Sequence, residues 1–397
     1  MSLRAIAKSW RLIRQKLKAE PYGDLTRKEI VERLARLESR HSNEAQAAVY
    51  VEERRRPYDF SQVQQQRVAF KVAYLGWDYY GFTSSHKEDE FPSVQGKLVE
   101  ALRKCKLIQD LSTCEFSLCG RTDTGVSGLG QVIALNVRRS SNNNNELPYL
   151  AMLNRQLPDD IRVWAWAPVP PEFNARFACQ SRTYHYYIPT DGLDLEAMQQ
   201  AAKHFLGHQD FRHFCKFNPA KNVKDYRRTI YAADIRPVTS TFGRIEVTGS
   251  AFLWHQVRCM VSILLLVGQR LEKPEIVKDL LDVDQITGKP QYPLASPHPL
   301  VLHGCAYDNI DWRVEETTSG TRDHWRARWS EQMTRALLFE NFANALEDKK
   351  SEKVTKIFLG AAKEIWTKDY VPLLERQRAE PNSVKQEKYL SRKGGVK

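Results

Sequence analysis

The sequence predicts an α+β protein built on a mainly antiparallel sheet. Strand-like runs with period-two alternation recur at residues 68–74 and 182–188, with further strand-like runs around 229–235 and 244–248. Helical spacing separates some of them, but others follow one another through short turn-rich segments, so strictly alternating βα units do not describe the order. A chain of 397 residues can bury a sizeable core in one large or two fused domains with extensions.

Leu3, Ile6, Trp10, Ile13 and Leu17 fall at helical spacing among six Lys and Arg residues, with no acid before Glu20. A basic amphipathic helix of this kind fits either a mitochondrial presequence or a helix that contacts RNA or a partner. Residues 26–40 read as a capped helix, with Thr26 as N-cap, Glu29 at the capping-box position, and Ile30, Leu34 and Leu37 on one face. That seam is suited to pairing helices between subunits. Arg54-Arg55-Arg56-Pro57 and the Gln-rich stretch to Gln66 read as a linker.

The core opens with the strand at residues 68–74, a turn containing Gly76, Trp77, Tyr80 and Gly81, and a helix over 93–104. Strands flank Asp123, residues 142–145 are a loop insertion, and a strand at 162–166 leads to the alternating run at 182–188. A second unit begins near Asp194 with a helix through Leu206. Strands follow around 229–235 and 244–248, and then a long apolar helix after Phe252. From Trp312 onward the pattern is helical, polar and basic, ending in a tail at 392–397. The expected organisation is an N-terminal basic helical extension (1–66), two halves of a core (67–190 and 191–312), and a C-terminal helical basic extension (313–397).

Lys and Arg number 60 against 48 Asp and Glu, a formal net charge of +12. That excess suits a polyanionic partner, most simply nucleic acid. The seven cysteines, at positions 105, 114, 119, 179, 215, 259 and 305, form no Cys-x-x-Cys pair and mostly sit in apolar stretches. They are expected to be reduced, buried thiols of an intracellular protein, forming neither disulfides nor a zinc site. The longest apolar run, at 260–267, is too short to span a bilayer, so no membrane contact is expected.

The octapeptide Cys119-Gly120-Arg121-Thr122-Asp123-Thr124-Gly125-Val126 carries the strongest chemical signal. It sets one carboxylate at the tip of a tight turn between two apolar runs, with glycines that permit a sharp bend and a close ligand approach. Arg121 on the same loop favours the charged form of a carboxylate. An ionised, presented, solitary aspartate suits a nucleophile or a cation stabiliser. Thr-Asp-Thr-Gly is also good structural turn chemistry. Asp-Thr-Gly occurs in aspartic peptidases as well, but those need two carboxylates sharing one proton, and the chain has no second such triplet.

Arg258 lies inside the apolar run 252–265, where a guanidinium is costly without a partner. Asp123, Asp210 and Glu246 are the candidate acids, unless the side chain reaches the surface. Tyr184 shares a strand face with Arg182 and Tyr186. Alternating aromatic and basic residues suit a flipped base and its phosphates, although Tyr186 fits ordinary packing better. Residues 211–217 interleave aromatic and basic side chains in the same way and place Lys216 in a possible backbone-binding groove. His255, taken alone, is a satisfied helix histidine.

Together these residues resemble the TruA family of tRNA pseudouridine synthases. The match lies in Gly120-Arg121-Thr122-Asp123-x-Gly125-Val126, in Phe173-x-Ala175-Arg176-Phe177 with Arg182-x-Tyr184-x-Tyr186, and in Phe252-Leu253-x-His255-x-x-Arg258. Gly76-x-x-Tyr79-Tyr80-Gly81 and Ser93-Val94-Gln95-Gly96-Lys97-Leu98 fit the start of the same fold, so the resemblance runs in order over residues 67–312. Met152-Leu153-Asn154-x-x-Leu157-Pro158-x-Asp160-Ile161 and the segment 370–378 look like the eukaryotic branch that modifies tRNA positions 38 and 39. The resemblance implies a pseudouridine synthase fold: a mixed, mainly antiparallel sheet from two ferredoxin-like halves with flanking helices and a basic cleft between them.

It also implies catalytic roles for Asp123, Arg258 and Tyr184, and RNA or substrate contacts for Arg121, Arg182, Lys216 and His255. It implies no cofactor, no metal, a tRNA anticodon stem-loop as partner, a homodimer, and residence in nucleus and cytoplasm, with mitochondria depending on residues 1–18. Thr124 stands where eukaryotic relatives commonly carry Lys, and Asn174 where Ser is usual. The reading weighed against catalysis is a tRNA-binding or folding protein whose isomerisation is secondary.

Overall fold

The computed structural model describes residues 58–61, 63–83, 91–140, 146–314, 318–345, 355–361, 363–367 and 369–394. The basic helix at 1–18, the capped helix at 26–40, Arg54 to Pro57 and the insertion at 142–145 lie outside these residues. The chain divides into units 1–62 and 63–397, and the second carries everything below.

Its centre is one nine-stranded sheet. The strands are β1 (Gln65–Tyr74), β2 (Ser117–Leu118), β3 (Ser127–Arg138), β4 (Ile161–Pro168), β5 (Ser181–Pro189), β6 (Gly207–Asp210), β7 (Arg227–Pro237), β8 (Phe242–Gly249) and β9 (Leu300–Ala306). The order is β4-β1-β3-β9-β5-β8-β7-β6, with β2 pairing β3. Every pair is antiparallel except β3 with β9, where Ser127 lies opposite Val301 and Gly128 opposite Leu302. The two expected halves share a continuous sheet whose one parallel seam separates β4-β1-β3 from β9-β5-β8-β7-β6, so β5 (181–189), expected in the first half, lies with the second. β1 begins at Gln65, inside the stretch expected to be linker.

Each half has its own core. One cluster gathers buried residues between Val68 and Trp166, including Phe70, Leu98 and Tyr149. The other gathers Tyr186, Met198, Phe205, Phe211 and most of the apolar helix after residue 255. Helix α1 (Val94–Lys104) starts at Ser93, whose hydroxyl accepts from Gly96 N at 3.0 Å, and it buries Leu98, Ala101 and Leu102 against the first half. Helices α2 (Tyr149–Asn154) and α3 (Leu195–Lys203) follow; α3 is capped by Asp194 accepting from Ala197 N.

Helix α4 (Gln256–Gly268) is buried along nearly its whole length, as its all-round apolar pattern predicts. It begins four residues later than expected. His255 adopts φ +62°, and Gln256 Oε1 accepts from Leu253 N at 2.8 Å, so Phe252 to His255 form a tight turn instead of a first helical turn.

Beyond α5 (Ile276–Leu281) and β9, the C-terminal region contains α6 (Thr318–Asn344) and α7 (Asn382–Gly394). Between them lies a hairpin, β10 (Thr355–Phe358) with β11 (Glu364–Thr367), in a region expected to be helical only. The reason is tertiary. The hairpin turn packs on the second core, where Tyr186 Oη donates to Leu359 O at 3.3 Å and Ser296 N to the same carbonyl at 2.8 Å. The positive φ of Gly360 suits glycine, and a Cβ there would meet Tyr186 Oη at 1.9 Å. The tail is helical through Gly394. Among the described residues no helix is long and apolar enough to cross a membrane.

Candidate active site

Asp123 sits on the turn between β2 and β3, beside the parallel seam of the sheet. The turn is fixed from several sides. Thr122 shares a hydroxyl–hydroxyl hydrogen bond of 2.8 Å with buried Tyr74, Gln131 Nε2 donates to Gly120 O at 2.6 Å, and Gly125 N donates to Tyr79 O at 3.2 Å. Gly125 takes φ +79°, a conformation other residues adopt only with strain. A carboxylate held this way loses little entropy on meeting a substrate.

The turn before α4 supplies its partners. His255 Nε2 lies 3.3 Å and Arg258 Nη1 3.9 Å from Asp123 Oδ2. Of the three acids considered for Arg258, Asp210 pairs with Arg212, and Glu246 lies beside His185 and Arg244. Arg258 Nε donates to Ala295 O at 2.8 Å, which leaves its terminal nitrogens toward Asp123. Burial pushes the Arg258 guanidinium below its ordinary value, and the Asp123 charge opposes that shift.

His255, expected to be a helix histidine or an RNA contact, stands closer to the carboxylate than Arg258 does. The left-handed backbone at His255 turns it there, and its imidazole, 11 % exposed, lines the cleft beside Asp123.

These residues line a cleft of roughly 820 Å³. Seven cations border it (Arg121, Arg176, Arg182, Lys216, Lys221, Arg228 and Arg258), and Asp123 is the one acid among the described lining residues. Tyr184 is on the wall, its ring edge-on to Phe252 at 5.2 Å. Burial, reinforced by nearby thiols, Tyr74 and the Asp123 charge, raises its hydroxyl well above the ordinary tyrosine value, so it remains a neutral phenol.

Arg121 is exposed at the rim, as its place in the octapeptide suggests. Lys216 reaches the cleft, with its ammonium 5.9 Å from the Trp254 ring centroid, and Lys221 lies 5.3 Å from the same ring. The aromatic members of the 211–217 run do not reach it: Phe211 and Phe214 are fully buried in the second core, and Arg212 pairs with Asp210.

Arg182, expected to contact RNA, lines the cleft with its guanidinium held by backbone carbonyls. Its guanidinium donates to Cys179 O and Ser250 O at 3.2 and 2.5 Å, and to Cys119 O and Arg176 O at 3.5 and 2.8 Å. Four carbonyls occupy its fork, so it ties the cleft floor together.

Sequence reasoning assigned no role to Phe177, Arg176, Lys221 or Trp254. Phe177 is 81 % exposed at the rim with the Arg176 guanidinium 5.7 Å from its ring, an arrangement suited to stacking on an unpaired base. The signal was Arg176-Phe177 within a matched motif, where aromatic and cation stand side by side.

A carboxylate at the centre of an RNA-sized basic cleft, on a pseudouridine synthase sheet, defines an isomerase of nucleosides in RNA. Comparisons with known proteins agree. Residues 201–308 match the family described as tRNA pseudouridine synthase. A Saccharomyces cerevisiae protein named tRNA pseudouridine(38/39) synthase is 34% identical over 411 residues, covering 94% of this chain and 92% of that protein. The Bos taurus protein of the same name is 40% identical over 321 residues, covering 74% of this chain and 66% of its own length. A Methanosarcina acetivorans protein named tRNA pseudouridine synthase A is 33% identical over 267 residues, covering 66% of this chain and 93% of its own. The chain belongs to the TruA family of tRNA pseudouridine synthases.

Proposed function

We propose that this protein isomerises uridine to pseudouridine at positions 38 and 39 of the tRNA anticodon arm, with Asp123 as the nucleophile. The observation that carries the reading is Asp123 as the lone acid among seven cations lining the cleft, held by His255 and Arg258 from a distant element. The names of the yeast and bovine relatives support the choice of positions.

The reaction breaks N1–C1′, turns the base within the site and joins C5 to C1′; C5 releases its proton and N1 takes one up. There is no net redox change, and the steps above use only this chain's side chains. A carboxylate beside the ribose stabilises or traps the electron-poor C1′ as in glycoside hydrolysis. Arg258 holds that carboxylate in place, while the neutral Tyr184 ring offers a face to the extruded base. Extrusion costs a few kcal/mol, offset by stacking on Tyr184 and Phe177 and by phosphate contacts from Arg121, Lys216 and Lys221.

A homodimer is supported by α6, where Trp329, Met333, Leu337, Leu338, Phe339 and Phe342 are all exposed. The test of function is direct. Unmodified tRNA carrying U38 and U39 is incubated with the protein, and pseudouridine is mapped by carbodiimide treatment and primer extension. Stops at 38 or 39 are expected; absence of product, or product only elsewhere in the tRNA, contradicts the reading.

A further inference from the structure

Directly beneath the catalytic turn, the sulfur atoms of Cys119, Cys179 and Cys305 all lie within 4.8 Å of one another. The three come from separate places: the end of β2, the segment before β5, and β9. Sequence spacing gave no hint of the cluster. Cys119 and Cys179 are buried, and Ala69, Val132, Ala134 and Ala175 close an apolar shell around them with Phe173 and Trp312 against it.

We propose that Cys119, Cys179 and Cys305 bind one zinc ion, which fastens the catalytic turn to the sheet. Geometry, charge and surroundings each support this. Three thiolates at about 2.3 Å from a tetrahedral zinc lie about 3.8 Å apart, so a sub-ångström contraction of the cluster suffices. Binding releases three protons, Zn²⁺ with three thiols giving a tris-thiolate of charge −1. Arg182, whose guanidinium donates to the carbonyls of both Cys179 and Cys119, supplies the balancing positive charge and orients two of the three ligands. A monovalent soft ion would leave the buried cluster with a net negative charge, so the divalent ion is favoured. Tyr307, whose hydroxyl donates to Ala175 O at 2.5 Å, closes one side, and water completes the tetrahedron.

The ion takes no part in the chemistry. Its position accounts for a half-buried arginine with four carbonyl partners beside three thiols at the base of the turn. The inference is independent of which uridine is modified, because it concerns the scaffold.

The test uses the full chain purified without chelator, supplied with zinc and passed over a metal-scavenging resin, with zinc measured by mass spectrometry. One zinc per chain is expected in the wild type and in Cys114→Ser, a buried cysteine outside the cluster. None is expected in Cys179→Ser or Cys305→Ser. Should those variants fail to fold, wild-type protein stripped and reloaded with cobalt(II) provides a second readout, an intense sulfur-to-cobalt charge-transfer band. Wild type with no zinc above the buffer blank, a cobalt complex without that band, zinc retained in Cys305→Ser, or a disulfide joining two of the three cysteines would each overturn the proposal.

Discussion

Replacing Arg258 by Met separates charge from bulk. Met keeps an unbranched chain along the path of the arginine stem, but Asp123 loses its mostly buried cation. The Coulomb attraction across 3.9 Å is about 4 kcal/mol at an effective dielectric of about 20. That figure is an upper value, because Asp123 is 26% exposed and His255 stands 3.3 Å from the same oxygen. Taking solvent and imidazole as screening about half, the loss of transition-state stabilisation is about 2 kcal/mol, or about 30-fold in the chemical step. The hydrogen bond to Ala295 O disappears as well, which loosens the site further.

Arg258→Lys, which keeps charge but cannot hold both partners, is expected to lie between wild type and Met. The assay is tritium release from tRNA carrying C5-tritiated uridine, with enzyme in excess so that one turnover is followed. The C5–H bond must break when C5 joins C1′. Filter retention of tRNA should change less than about threefold, since Arg258 is mostly buried. A single-turnover rate within about threefold of wild type, or a loss confined to tRNA binding, would refute the electrostatic argument.

Other consequences follow from the same geometry. Gly360→Ala places a methyl 1.9 Å from Tyr186 Oη in a left-handed backbone, and should destabilise the protein by about 2–4 kcal/mol in urea denaturation; an unchanged midpoint would mean the hairpin does not pack there. Lys216→Ala and Lys221→Ala should each weaken tRNA binding and reduce the slope of log affinity against log salt by about 1, leaving the saturated single-turnover rate unaltered.

Burial and the stacked His303 ring hold His185 down to about 4, so the folded state resists a proton that the unfolded chain accepts below about 6.5. Its contribution is intact above that pH and is lost as pH falls toward 4, on the order of 3 kcal/mol. His185→Phe should flatten stability between pH 6.5 and 4, and an unaltered slope there would contradict the assignment.

What could be seen in the sequence was local. Asp123 was legible because its glycines, its arginine and the flanking strands all lie within a few residues. Arg258 was legible because a guanidinium inside an apolar run demands a partner, although three acids could have served. His255 was not, since a left-handed residue there depends on the turn that Gln256 and Leu253 close. The four carbonyls converging on the Arg182 fork were not legible, because they come from segments that meet only in the fold. The thiol cluster and the C-terminal hairpin were hidden for the same reason: each gains its meaning from segments that meet only in the folded sheet, as Gly360 does with Tyr186.

The measurement closest to the central claim compares wild type with Asp123→Asn on one tRNA, following C5 tritium release and tRNA retention side by side. Asn keeps the shape of the side chain and removes its charge. The expected result is no detectable tritium release from Asp123→Asn with tRNA retained nearly as well as by wild type. Release from Asp123→Asn at a rate comparable to wild type would contradict the account.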